Sequence, residues 1–159
     1  MTDHDQTIRI RPAYVSEADA LTELAVRSKT HWGYSNDFID ACRDELTISE
    51  EQISADQSAF FVLEVHATCV GYYGLFVQEA PSCELDSLFI DPRSIGNGYG
   101  RLLLNHAKLQ ALRCGATRLV VQSDPNAQSF YEKEGFILCG SRESSSIPGR
   151  SLPLLEVSL

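Results

Sequence analysis

The chain has 159 residues, 43% hydrophobic and 22% charged, with a formal net charge of −9, which suits one globular domain with a core of its own. No apolar run approaches the roughly 20 residues needed to span a bilayer, and five widely spaced cysteines (42, 69, 83, 114, 139), with no C-x-x-C and no histidine cluster, argue against a zinc site or a disulfide framework. The polar, acidic start, Met1-Thr2-Asp3-His4-Asp5, does not read as a signal peptide, so the expectation is a cytoplasmic protein with reduced, mostly buried thiols, no metal and no membrane association.

Ile8-Arg9-Ile10-Arg11 alternates as an edge-like strand, and Pro12 ends or edges it. Ser16-Glu17-Ala18-Asp19 has the composition of a helix N-cap with acids in the first turn. A helix follows through Leu21, Leu24, Ala25 and Ser28. After the aromatic stretch 29–35 a second helix starts near Asn36 or Asp37 and carries Phe38, Ile39, Cys42 and Leu46, and residues 49–53 add one more turn. Residues 60–65 and 70–77 read as strands joined by a short link at 66–69, with 83–90 as the third strand of the meander. Residues 118–122 form a buried strand, paired in parallel with 83–90 by the crossover rule. A short helix over 126–134, a strand from Phe136 to Cys139 or beyond, a polar loop at 144–149 and a last strand over 152–159 complete the chain. The order β-α-α-β-β-β-α-β-α-β-β predicts an α/β fold on a mixed sheet, in a single domain spanning 1–159.

One stretch organises the rest. Strand residues 84–90 (Glu-Leu-Asp-Ser-Leu-Phe-Ile) are stopped by Asp91-Pro92. Then come Ile95-Gly96-Asn97-Gly98-Tyr99-Gly100-Arg101 and a leucine-rich helix of about four turns, ending near Cys114 with Gly115 as its stop. A helix N-terminus carries unpaired N–H groups and about half a positive charge, and glycines let an anion approach them. The unit therefore reads as a phosphate cradle. A P-loop would need Lys then Ser or Thr after the last glycine, and a dinucleotide fingerprint would need G-x-G-x-x-G; neither is present. Charge agrees with the cradle. Residues 91–118 hold five bases against Asp91 alone, whereas residues 1–60 hold 12 acids against 5 bases. The acidic remainder argues against a nucleic-acid partner and leans toward a cationic amine, although acidity that merely keeps the protein soluble explains it equally well.

Downstream, Val120-Val121-Gln122-Ser123-Asp124-Pro125-Asn126 is followed by Phe130-Tyr131-Glu132-Lys133-Glu134-Gly135-Phe136. With the glycine loop, this resembles the GNAT superfamily of acyl-CoA-dependent N-acetyltransferases, which carry [Gln/Arg]-x-x-G-x-[Gly/Ala] at a helix start and later an Asn followed by Phe-Tyr-x-x-x-Gly-Phe. The motifs cover residues 60–136, and the element order extends the likeness to the whole chain. Ile95 departs from the family's Gln or Arg, a position that acts mainly through its backbone. The resemblance implies a mostly antiparallel sheet flanked by helices, with a central pair of splayed parallel strands and a pantetheine arm in the gap. It also implies acetyl-CoA as donor, no metal, an amine acceptor (small molecule, amino acid or protein N-terminus) with a small molecule first, and a homodimer through the last strands. The alternative is an acyl-CoA-binding sensor without catalysis.

Amide transfer needs a polarised thioester, a deprotonated amine, a protonated leaving thiolate and close alignment. The resemblance makes Tyr131 the acid for the thiolate; the competing reading is a core aromatic beside Phe130 and Phe136. Glu84, six residues before Ile90, matches the base glutamate of some family members; the competing reading is a solvated acid at a strand start. Strand alternation puts Glu84, Asp86, Leu88 and Ile90 on one face. The expected donor site comprises Leu88, Phe89, Ile90, Ile95, Gly96, Asn97, Gly98, Tyr99, Gly100, Arg101, Asn126 and Tyr131. Asn126 reads equally as a helix N-cap. His31, Trp32 and Tyr34 are candidates for the acceptor pocket or for stapling two helices, and Arg150 is a further acceptor-side guess. His4, His66 and His106 show no partner pattern.

Overall fold

The computed structural model describes residues 7–77 and 81–159. Seven strands, β1 (Ile8–Pro12), β2 (Ser58–Val65), β3 (Thr68–Val77), β4 (Ser82–Ile90), β5 (Arg118–Gln122), β6 (Ile137–Glu143) and β7 (Ser151–Ser158), form one sheet in the order β1-β2-β3-β4-β5-β7-β6. Every pairing is antiparallel except β4 with β5. The helices are α1 (Ala18–Thr30), α2 (Asn36–Leu46), α3 (Glu50–Ser54), α4 (Tyr99–Arg113) and α5 (Gln128–Lys133). The expected mixed fold and its parallel pair are both present.

Two cores flank the sheet. On one face α4 buries Leu103, Leu104, Ala107 and Ala111 against Leu63, Tyr73, Leu85 and Leu119. Ala107 and Ala111 stand four apart, so the helix presents a smooth stripe and sits close to the strands. On the other face α1 and α2 bring Leu21, Leu24, Ala25 and Cys42 onto Phe60, Val62 and Tyr72. Arg11 then ties the first strand to its surroundings. Its Nε donates to Glu64 at 2.7 Å and its Nη1 to Glu17 at 2.8 Å, and its guanidinium lies over the Tyr14 ring.

Several local expectations are corrected. The turn before α1 begins as a 3-10 segment at Val15, and Glu17, rather than Ser16, caps it by accepting the Tyr14 N–H at 2.8 Å. The β2–β3 link is a two-residue turn at His66 and Ala67 (φ 52° and 63°), so β3 starts at Thr68. That left-handed pair matches strand twist, which favours so short a link even without glycine. Of the five thiols, all free, Cys42 and Cys83 are buried, Cys69 is half-buried, and Cys114 and Cys139 are exposed. His106 does have a partner: its Nδ1 shares a 2.6 Å hydrogen bond with the Tyr73 hydroxyl on the α4 face. Among the described residues, no helix is long and apolar enough to cross a membrane, and no group of three or more His, Cys, Asp or Glu gathers as a metal site.

Candidate active site

β4 and β5 lie side by side only where Ser82, Cys83, Glu84 and Leu85 face Arg118, Leu119, Val120 and Val121. Beyond Leu85, β4 continues with β3 as far as Ile90 opposite Gly71, while β5 ends at Gln122 against β7. The strands therefore part, and the backbone of 86–90 that would face β5 is left without a strand partner. A cavity of about 470 Å3 opens in this gap and reaches the start of α4.

β4 is bulged where it opens. Gly74 pairs with Ser87 and Leu75 with Leu85, so Asp86 is an extra residue with no opposite number on β3. A bulge inverts the alternation beyond it. Leu85 before it and Leu88 and Ile90 after it consequently all join the α4-side core, while Phe89 joins the other. The expected common face of Glu84, Asp86, Leu88 and Ile90 is thus broken. Gly74 opposite is enforced by space, since a Cβ there would sit 2.6 Å from the Phe60 ring and 2.8 Å from Ser87 Oγ.

The cradle has the geometry an anion requires. Gly96 (φ 91°) and Gly98 (φ 78°) are left-handed, and a Cβ at either would meet only open space. Their identity is a matter of backbone shape, and the loop's concave side is left clear. The first α-helical bond of α4 runs from Leu102 N–H to Gly98 O at 3.2 Å, so the N–H groups of 98–101 precede it and stay open for an acceptor. Arg101, 71% exposed, lies at the mouth with only a 3.5 Å contact to Glu134. The loop's other base, Arg93, is bound to Asp91, as is Arg27 from α1. These bonds, Arg93 foremost, hold the Asp91 carboxyl far below the usual carboxylate range. The residues fit a pyrophosphate followed by an amide-bearing arm that enters the gap.

All the residues expected around the donor line this cavity except Asn97, whose side chain instead donates to Ser94 O at 2.9 Å. Asn126 is not a cap. Asp124 caps the turn by accepting the Asn126 N–H at 2.8 Å, and Asn126 Nδ2 donates to the Tyr34 hydroxyl at 3.0 Å. Tyr131 is 5% exposed, packed edge-on against Phe130 and Phe136 as a core aromatic, and also lines the cavity. Burial pushes its phenol well above the ordinary value, so at neutral pH it keeps its proton.

On the acceptor side Trp32 lines the cavity and is 47% exposed. His31 stacks edge-on with Trp32 and lies outside the lining, as does Tyr34, whose ring stacks on Phe38 at 4.2 Å. Arg150 lies over the Tyr34 and Phe38 rings and donates to the Tyr34 hydroxyl. Glu84 is likewise outside the lining, and its Oε1 accepts from Arg142 Nη1 on β6 at 2.7 Å. The carboxylates that do line the cavity are Asp86, Glu45 and Asp124, the last engaged by Lys29 and Tyr34. Asp86 opens to the cavity yet is surrounded by protein. That enclosure first, then the charges of Glu84 and Glu45, push its carboxyl above the usual range. Glu45, which sequence reasoning missed, accepts from Ser146 Oγ at 2.7 Å.

A splayed parallel pair, a bulge on the strand feeding a glycine loop, and a buried tyrosine after the next strand define an acyltransferase of the GNAT class. Residues 18–146 match the family described as the acetyltransferase (GNAT) domain, and the chain belongs to that family. It is 38% identical over 73 residues to the peptidyl-lysine N-acetyltransferase YjaB of Salmonella typhimurium, and over 74 residues to that of Escherichia coli. Each match covers 46% of this chain and 48% of the relative, so the likeness spans about half the length of those curated proteins. Among solved structures, the PaiA N-acetyltransferase from Thermoplasma acidophilum, in complex with coenzyme A, shares the fold at a TM-score of 0.76 and 21% identity, over 96% of this chain and 99% of that one. The ribosomal-protein-S18-alanine N-acetyltransferase from Escherichia coli does so at 0.71 and 17%, over 96% and 94%.

Proposed function

We propose that the protein transfers an acetyl group from acetyl-CoA to a primary amine by direct attack in a ternary complex. The observation that carries the reading is the single cavity running from the α4 cradle, through the parted strands, to Asp86 and Tyr131. Open N–H groups at 98–101 and Arg101 receive the pyrophosphate, and the strandless backbone of 86–90 receives the amides of the arm and polarises the thioester. Asp86, in preference to the Arg142-bound Glu84, takes the proton from the incoming ammonium, directly or through a water. A carboxylate held above its ordinary pKa suits that task better than one bound to an arginine. Tyr131 returns a proton to the departing sulfur.

The acceptor in this reading is a cationic amine, drawn by Asp86 and Glu45 and flanked by Trp32. Two relatives are named for acetylating peptidyl lysine, so lysine-containing peptides stand beside small amines as first acceptors to try. The homodimer belongs to the same reading: β6 is an outer strand with Ile137 71% exposed, and a second copy pairing there would cover it; sedimentation measures it. The test of the activity is CoA release from acetyl-CoA across lysine peptides, free amino acids and polyamines. Turnover with one amine class supports the reading. CoA binding without turnover of any amine would leave the sensor function instead.

A further inference from the structure

We propose that Asp124 is a positioning residue that couples the donor wall of the cavity to the acceptor loop at 31–35. The proposal rests on the donor-site reading above and names a role for residues that do not touch the reacting atoms. Asp124 follows β5 and is largely buried, with 14% of its side chain exposed. Its carboxylate gathers groups from three distant segments. Lys29 Nζ, near the end of α1, donates at 3.0 Å. The Tyr34 hydroxyl donates at 2.9 Å to one oxygen and lies 3.1 Å from the other. Arg150, before β7, lies 3.8 Å away and donates to the Tyr34 hydroxyl at 3.0 Å.

The same carboxylate fixes the donor wall. It accepts both the backbone N–H of Asn126 (2.8 Å) and its side-chain Nδ2 (3.0 Å), and that Nδ2 also donates to the Tyr34 hydroxyl. Asn126 and Asp124 line the cavity, whereas Tyr34 stands behind it. A ligand that bonds Asn126 must draw on, or reinforce, the set of hydrogen bonds that holds Tyr34. Tyr34 in turn anchors the loop carrying Trp32. The arrangement is one connected polar network with every partner charged or hydrogen-bonded, and in enclosed surroundings such networks respond as units.

The consequence is measurable without knowing the acceptor. Hydrogen exchange of amides 31–35 is followed in the wild type, Tyr34→Phe and Asp124→Ala, each with and without saturating coenzyme A, and calorimetry reports CoA affinity in parallel. Tyr34→Phe keeps the ring on Phe38 and removes only the hydroxyl. In the wild type, CoA is expected to slow loop exchange by about fivefold or more; in both variants the slowing shrinks below about twofold, while the Kd for CoA in Tyr34→Phe stays within about threefold. A merely structural role would speed exchange equally in the free and bound states and leave their ratio at the wild-type value, which would overturn the proposal. An unresponsive wild-type loop with CoA bound would overturn it too. Failure of CoA to bind the wild type would instead remove the donor-site reading, and the coupling with it.

Discussion

Asp86 and Tyr131 line one cavity from different elements, the bulge of β4 and helix α5, and the proton affinity of each is displaced upward. Enclosure raises the carboxyl of Asp86 above its ordinary value. Burial raises the phenol of Tyr131 so that it holds its own. In the proposed transfer Asp86 takes the amine's proton, while Tyr131, protonated at neutral pH but made a weaker acid by its burial, faces the departing sulfur.

The rate should therefore rise with pH on its acid side. Asp86 must be ionised to act, and its raised pKa places the rise above the ordinary aspartate value of about 4. Asp86→Asn should lower kcat by about 10²-fold or more and abolish that limb of the profile. A profile unchanged in Asp86→Asn, measured from pH 5 to 9 with saturating acetyl-CoA, would shift the base role back to Glu84.

Tyr131→Phe leaves the aromatic packing with Phe130 and Phe136 and removes one hydroxyl. We expect kcat to fall by about 10²-fold with little change in the KM for acetyl-CoA. The loss should shrink with an acyl donor whose leaving group is a better anion than the CoA thiolate, because such a group needs less help from an acid.

Gly98→Ala tests the cradle. At φ 78° an alanine is strained although no neighbour blocks it, so stability should fall by about 1–2 kcal/mol and CoA affinity by more than that strain alone explains. Arg101→Ala should weaken CoA binding severalfold and flatten its dependence on salt, since Arg101 is exposed and screened. Isothermal titration at two ionic strengths reads both.

Acid should unfold the protein through Asp91 and Glu17. Hydrogen bonds from Arg93 hold the first carboxyl down, and bonds from Arg11 the second. A folded-state pKa below the unfolded one means the stabilisation is complete above about pH 4 and is lost as pH falls through the depressed value. Thermal midpoints should drop steadily below pH 4, and Asp91→Asn should drop less steeply. Asp86 has the opposite sign, its protonation relieving a cost of folding.

The succession of elements, the parallel pair and the glycine turn at the start of α4 were legible because alternation, an Asp-Pro stop, three glycines and a leucine stripe are written in consecutive residues, whereas the place of β7 between β5 and β6 was not. The bulge was not, because nothing in residues 84–90 announces that β3 will skip Asp86; the slip shows only in the register with Gly74 and Leu75 on another strand. Glu84 reads as the candidate base from its six-residue spacing to Ile90, a count along one strand that cannot show Arg142 of β6 binding its carboxylate while Asp86 lines the cavity. Glu45 meets Ser146 across 101 positions, and Tyr34 meets Asp124 across 90. No local pattern encodes such partners. Asp124-Pro125 does carry a signal, the side-chain cap that places Asn126, although an asparagine after a proline reads as a cap just as readily.

The parted strands have one more consequence. An open sheet edge ordinarily invites a strand from a neighbouring molecule and so invites aggregation. Here the hydrogen-bonding edge of 86–90 borders a cavity that the start of α4 and α5 also line, and in the proposed reading that edge is kept for a slender amide-bearing thread. In that reading, hunger for a missing strand becomes appetite for one guest.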